Sequence, residues 1–337
     1  MSSNAGEAPV SEGAGDESID PDIRRFVARV TADYARLTGG RELPVEEMRA
    51  VAERVREPWR QGGPVMASVT ERVADTEAGP VRLRIYDPGV ATPAPALVYM
   101  HGGGWVLFSL DTHDRVMREY AARAGVIVVG VDYSLSPEVR YPVALNQVVA
   151  VVRWLRTRGA KLGIDAQRLA LGGDSAGGNL SICAALALRD AGQHDYVQGL
   201  LLIYPALDRH CSAESLRRFG GPGAVLTAEE VDYFWDHYTG GADVSQDPQA
   251  TPMRASLEGL PPICMTIPGC DVLTEQSHQM ADRLRAAGVD VAMTVYPGAT
   301  HSFIEAVSIA PLAERAIEDG ARWLRRTLDA VTPGAPG

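Results

Sequence analysis

The sequence predicts an α/β protein, a mainly parallel central sheet flanked by helices with a helical cap. Three observations carry this. Short β-branched apolar runs alternate with helical patterns along most of the 337 residues, as expected of a parallel sheet covered on both faces. Glycine-rich turns directly follow several of these runs. One long stretch, from Asp208 to about Pro252, breaks the rhythm and is larger than a connector requires.

Composition sets the frame. The chain is 46% hydrophobic, enough for a sizeable core, and carries a net charge of −11. That balance argues against nucleic acid, which needs clustered Lys and Arg, and against an anionic membrane surface. No apolar run approaches the ~20 residues of a spanning helix. The start of the chain lacks the basic and apolar stretches of a signal peptide, so a cytoplasmic protein is expected. The four cysteines, Cys183, Cys211, Cys264 and Cys270, show no metal-site spacing, and Cys183 and Cys264 sit in apolar runs as small buried side chains.

In chain order, residues 1–20 read as a disordered tail rich in Ser, Gly, Ala and Glu. Residues 21–62 read as two cap helices. Asp22 to Leu37 builds an apolar face from Ile23, Phe26, Val27 and Val30, and Gly39-Gly40 ends it. Pro44 to Arg56 begins with a proline suited to a first turn, and Pro58 is expected to close it. Residues 63–332 read as the core, with the cap insertion at about 208–252.

Within the core, Val81, Leu83 and Ile85 alternate with Arg82, Arg84 and Tyr86, the period of a strand. Ala96–Met100 and Val126–Val131 are apolar runs suited to strands buried on both faces, with a crossover helix over His113–Ala124 between them. Pro142–Arg158 is a helix whose expected core contacts are Val143, Leu145, Val148, Val149, Val152 and Leu155. Strands follow at Arg168–Leu171, Leu200–Tyr204, Ile263–Ile267 and Val289–Tyr296. Helices follow at Ser175–Arg189, Gln276–Ala287 and Leu312–Leu328. In the insertion, Thr227 and Glu230 form a capping box ahead of an aromatic helix holding Tyr233, Phe234, Trp235 and Tyr238.

Gly173-Asp174-Ser175-Ala176-Gly177 matches G-x-S-x-G between a strand and a helix. Flanking glycines permit the sharp turn that lifts the serine hydroxyl at the strand's end. A phosphate loop fits less well, because Asn179 stands where Lys is required. No G-x-G-x-x-G follows the first strand, which argues against a dinucleotide site. Upstream, His101-Gly102-Gly103-Gly104-Trp105 leaves backbone N–H groups uncovered, as an oxyanion site needs. The expected donors are Gly102, Gly103 and Ala176.

An attacking hydroxyl needs a base, and the base an orienting acid, in the order Ser, acid, His. Among His194, His210, His237, His278 and His301, the last follows a strand in Pro297-Gly298-Ala299-Thr300, on the edge where such sheets place their sites. Asp271 follows another strand on that edge. Glu275 and, more distantly, Asp208 compete with it as the acid.

With these residues placed, the chain resembles the hormone-sensitive-lipase-like (bacterial family IV) esterases of the α/β-hydrolase fold, from about Val81 to Phe303. The HGGG motif, the GDSAG motif and the intervening Tyr133-Ser134-Leu135-Ser136-Pro137-Glu138 carry the resemblance. It implies a Ser175–Asp271–His301 triad, no cofactor or metal, and a lid built from the N-terminal helices and the insertion. Small-molecule esters of short or medium acyl chains, sometimes amides, are the implied substrates, and homodimers are common among similar proteins. Ser134 and Ser136 replace the usual Arg and Ala, Val272 stands where Pro often follows the acid, and Ser302 where Gly often follows the base. Trp105, Phe108, Phe234 and Trp235 are candidates for the substrate pocket, or for packing in the lid. Two other readings remain at this level: a non-catalytic small-molecule receptor, as in the similar plant gibberellin receptor, and an amidase, dehydratase or acyltransferase using the same site.

Overall fold

A computed structural model describes residues 19–331; the expected tail up to Glu17 and Ser18, and position 332, lie outside the described residues. Asp20 is held in place. Its carboxylate caps the first helix through the N–H groups of Asp22 and Ile23, and its own N–H donates to Gly298 O at 2.9 Å.

The elements run α1 (Pro21–Thr38), α2 (Val45–Arg60), β1 (Ser68–Thr76), β2 (Gly79–Asp87), β3 (Ala94–Met100), α3 (Asp114–Ala124), β4 (Ile127–Asp132), α4 (Val143–Arg158), β5 (Ile164–Asp174) and α5 (Ala176–Asp190). They continue with β6 (Gly199–Ile203), α6 (Ala213–Phe219), α7 (Ala228–Thr239), β7 (Ile263–Cys270), α8 (Thr274–Ala286), β8 (Val291–Thr300) and α9 (Pro311–Asp329). Among the described residues the strands form one sheet in the order β1-β2-β4-β3-β5-β6-β7-β8. β1 and β2 are antiparallel to their neighbours, and β4 through β8 run parallel. This is an α/β-hydrolase fold.

The pleat divides the core. Val98 and Met100 of β3 face the layer holding α4, α5 and α8, while Leu97 and Tyr99 face α3 and α9, with α1 and α2 packed beyond. Such alternation within one apolar run is what burial of both faces requires. The shared polarity of the parallel strands brings the C-terminal ends of β3, β5, β7 and β8 to one edge.

Four details differ from the sequence reading. β1 carries no core-facing row, since Val69 and Val73 are exposed and only Ala74 is buried, so it has no strand period to read. α2 runs through Pro58 to Arg60 because Trp59 buries its ring against Phe26, centroids 4.6 Å apart, and anchors the last turn. Val143, at the start of α4, faces outward at 38% exposure rather than into the core. β8 extends through Pro297–Thr300, so His301 leaves the strand directly instead of following a loop.

The insertion between β6 and β7 contains the short helix α6, capped by Ser212, and α7, which shows the full Thr227–Glu230 capping box. Trp235 and Tyr238 of α7 pack onto Trp105, with the Trp105 and Tyr238 rings stacked at 4.2 Å. The Tyr141 N–H donates to Tyr238 O at 2.8 Å.

Candidate active site

Ser175 stands between β5 and α5 with φ 53° and ψ −116°, a conformation rare for any residue with a side chain. Its neighbours hold it there. Its N–H donates to Ile203 O at 2.9 Å, and its carbonyl accepts from Asn179 and Ala206, both at 3.1 Å. The Asn179 side chain in turn donates to the carbonyls of Ala206 and Ala250. A Cβ at Gly173 or Gly177 would overlap the Met100 carbonyl oxygen, so both glycines of the motif are needed for β3 to lie against the turn.

The structure brings the three predicted side chains together. The Ser175 hydroxyl lies 3.0 Å from His301 Nε2, and His301 Nδ1 lies 2.7 Å from Asp271 Oδ2. The other Asp271 oxygen accepts the Leu273 N–H at 3.1 Å. The ring therefore donates from Nδ1 and presents the Nε2 lone pair to the serine. All three residues are buried, Ser175 at 8% exposure. Burial opposes a charge on His301, but the Asp271 charge and hydrogen bond, with Asp174 and Glu305, outweigh it and hold the ring above the ordinary histidine range. Neither competing acid is hydrogen-bonded to His301. Glu275 accepts from Ser212 and Ser215, and Asp208 pairs with Arg254 at 3.1 Å.

One expected donor is corrected. The Gly102 N–H is committed to Asp174 Oδ1 at 3.1 Å and is not free for a substrate oxygen. The N–H groups of Gly103, Gly104 and Ala176 make no hydrogen bond among the described residues. Gly103 and Gly104 have φ of 101° and 60°, which side chains rarely adopt, and the Gly103 carbonyl accepts from Val106 and Leu107 to close the turn.

Several supporting residues escaped the sequence reading. Asp174, the variable position of the serine motif, also accepts the Tyr99 hydroxyl at 2.8 Å and faces His113 Nε2 at 3.3 Å. The Tyr133 hydroxyl donates to His101 O at 2.8 Å, and the His101 ring stacks on Tyr133 and donates to Gly102 O at 2.7 Å. The motif positions of Asp174, His101 and Tyr133 signal such roles in the sequence; nothing marks Tyr99, and nothing marks His113 beyond a helix start.

The four pocket candidates separate. The Phe234 ring lies directly on Gly104, where any Cβ would overlap it. Phe108 lies under the Arg56 guanidinium at 4.7 Å and 5.7 Å from the His113 ring. Trp105 and Trp235 pack on each other and on Tyr238 at 1% and 2% exposure. Trp235 also borders an outer cleft of about 290 Å³ with Arg209, His210 and Thr239, which none of the three triad residues lines. Burial pushes the Cys211 and Cys264 thiols up to about 12, disfavouring a thiolate nucleophile. Among the described residues no cluster of three His, Cys, Asp or Glu is placed to hold a metal, and no helix is long and apolar enough to cross a membrane.

Comparison with known proteins finds the same fold and relatives named as esterases. A family profile described as alpha/beta hydrolase fold matches residues 97–305. The chain is 33% identical to an ethyl acetate hydrolase of Pseudomonas putida over 314 residues, 89% of this chain and 96% of the relative. It is 37% identical to the carboxylesterase NlhH of Mycobacterium tuberculosis over 255 residues, 74% and 79% of the two chains. The crystal structure of a hyperthermophilic esterase from Pyrobaculum calidifontis superposes with a TM-score of 0.85 at 30% identity, covering 92% of this chain and 98% of that one.

Proposed function

The chain belongs to the α/β-hydrolase fold family, among the hormone-sensitive-lipase-like esterases, and we propose that it hydrolyses small carboxylic esters through Ser175, His301 and Asp271. The observation that carries this reading is the continuous Asp271–His301–Ser175 hydrogen-bonded chain, ending on a serine held in a strained turn.

His301 Nε2 takes the hydroxyl proton as Ser175 Oγ attacks the ester carbon, and Asp271 stabilises the imidazolium that forms. The substrate carbonyl oxygen gains negative charge within reach of the N–H groups of Gly103, Gly104 and Ala176. Each such donor lowers a barrier of this kind by about 2.7–4 kcal/mol. His301 then protonates the departing alcohol, and a water attacks the acyl-enzyme by the same route. The helix α5 points its N-terminus at the site, which favours the developing anion.

The helices α1, α2, α6 and α7 act in this reading as a cap over the site. Phe234, lying on Gly104, favours short acyl groups by filling space beside the donors, in keeping with the ethyl acetate hydrolase and acetyl esterase among the relatives. A fluorophosphonate probe tests the proposal. Covalent labelling mapped to Ser175, and absent in Ser175→Ala, is the expected result; folded protein that remains unlabelled refutes it.

A further inference from the structure

Behind the glycine loop lies a second buried carboxylate–imidazole pair that the reaction above does not use. Asp174, the residue before Ser175, accepts from the Tyr99 hydroxyl, from the Gly102 N–H and from His113 Nε2. His113 is wholly buried ahead of α3. Its other ring nitrogen, Nδ1, lies 2.9 Å from Thr112 Oγ1. The Thr112 hydroxyl is placed to donate its single proton to the Ser109 carbonyl at 2.9 Å, and the same oxygen accepts the Ser109 N–H at 3.1 Å. With that bond made, Thr112 is an acceptor toward the ring and Nδ1 carries a proton. A ring protonated there alone would aim the Nε2 lone pair at the Asp174 carboxylate. With the Thr112 proton on the Ser109 carbonyl, Asp174 and Thr112 are both satisfied when both ring nitrogens carry protons.

We propose that His113 is an imidazolium during turnover and a positioning residue for the oxyanion site: it neutralises Asp174 and fixes the carboxylate that anchors Gly102. The inference rests on the reading of Ser175 as nucleophile and of Gly103, Gly104 and Ala176 as donors. An uncompensated carboxylate beside Ser175, bonded to the donor loop, would oppose the negative charge forming on the substrate oxygen, and low-polarity surroundings strengthen that opposition.

The groups facing the ring fit this state. From the end of β3, His101 lies 5.6 Å away between ring centroids and stays neutral, pushed down to about 3 by burial first and then by the His113 charge. Arg56 of α2 and Glu305 beyond His301 act on the ring with opposite signs and are paired with each other. Burial opposes the charge on His113, yet the Asp174 charge and hydrogen bond, with Glu305, hold the ring above its ordinary range. Asp174 is held low in turn: burial opposes its charge, and the His113 charge and hydrogen bond, with the Tyr99 hydroxyl, outweigh that. Both partners thus favour their charged forms.

The test compares the wild-type protein, His113→Gln, and His113→Gln combined with Asp174→Asn. Each is titrated with a fluorophosphonate so that rates refer to protein reactive at Ser175. His113→Gln keeps an amide donor and removes the charge. Its kcat on a p-nitrophenyl acetate is expected to fall on the order of ten- to a hundredfold, below the loss of a whole oxyanion donor, with KM within about twofold. The double variant, neutral at both positions, is expected to be about tenfold faster than the single one, because the opposing charge is gone. A double variant no faster than the single, or a His113→Gln kcat within about twofold of wild type, overturns the proposal. Should His113→Gln fail to fold, the wild-type protein decides. Nitrogen-15 spectra of labelled histidine, with His113 assigned through its contact with Phe108, are expected to show both ring nitrogens protonated near neutral pH. A neutral ring, protonated at either nitrogen alone, overturns the proposal, and this readout needs no activity. Wild-type protein that fails to react at Ser175 instead refutes the hydrolase reading.

Discussion

Arg56, on α2, forms a buried ion pair with Glu305, four residues beyond His301. Both side chains are nearly inaccessible, and the guanidinium also covers the Phe108 ring. The pair joins α2 to the segment that follows His301. Removing one member strands the other charge, at a cost of about 3–5 kcal/mol. Arg56→Met should lose stability on that scale in urea unfolding.

Glu305→Gln separates the charge from the packing. Glu305 is among the groups that raise His301, so its neutralisation should move the acid limb of the kcat/KM profile to lower pH. A limb that stays in place would mean that the Glu305 charge does not reach the base.

The sign of the wild-type pH dependence follows from the same ring. His301 must be neutral to accept the serine proton, and it is held above the ordinary value near 6.5. Activity should therefore rise with pH through a midpoint above ~6.5. Stability moves the other way. A raised native pKa contributes stability that is complete below the unfolded value and is lost as pH rises through the native one. Parallel titrations of rate and of urea midpoint should show the two trends crossing the same interval. Asp271→Asn should lower kcat by about 10⁴ by disturbing the ring tautomer.

Steric requirements at the turn are equally specific. Gly177→Ala would drive a Cβ into the Met100 carbonyl oxygen, which is backbone and cannot swing aside. A loss of at least about 3 kcal/mol is expected. Ser175→Gly should be more stable than Ser175→Ala, by on the order of 1 kcal/mol, because glycine relieves the positive φ. Calorimetric melting of the three variants checks both statements.

Phe234→Ala opens space beside Gly104 without touching the triad. The ratio of kcat/KM for hexanoyl over acetyl esters should rise about tenfold or more, the usual worth of a methylene or two in an apolar pocket. An unchanged ratio would place the acyl group elsewhere.

The parts of this site that were legible in the sequence are those fixed by the chain's own covalent order. Gly173 and Gly177 announce the turn at Ser175, and Asp271 and His301 each follow a strand-forming run, the buried β7 and the half-exposed edge strand β8. The fate of the Gly102 N–H was not legible, because it depends on Asp174 reaching across from β5 to the end of β3. His113 was hidden for the same reason, its partner lying 61 positions away. β1 is silent because an edge strand with little buried surface leaves no hydrophobic period. At Pro58, the propensity of a single residue yielded to the packing of its neighbour Trp59 against Phe26.

The hydrogen bond from the Asp20 N–H to Gly298 O makes the residue that caps α1 a latch on the strand that leads into His301. Gly298 lies three residues ahead of His301, so the N-terminal end of α1 is tied to the chain close to the imidazole. Engineering at this end is therefore never remote from the reaction. A fusion partner or affinity tag that strains Asp20 would register as altered turnover, and a protein trimmed into α1 would report the loss of its latch in the activity assay before any global unfolding.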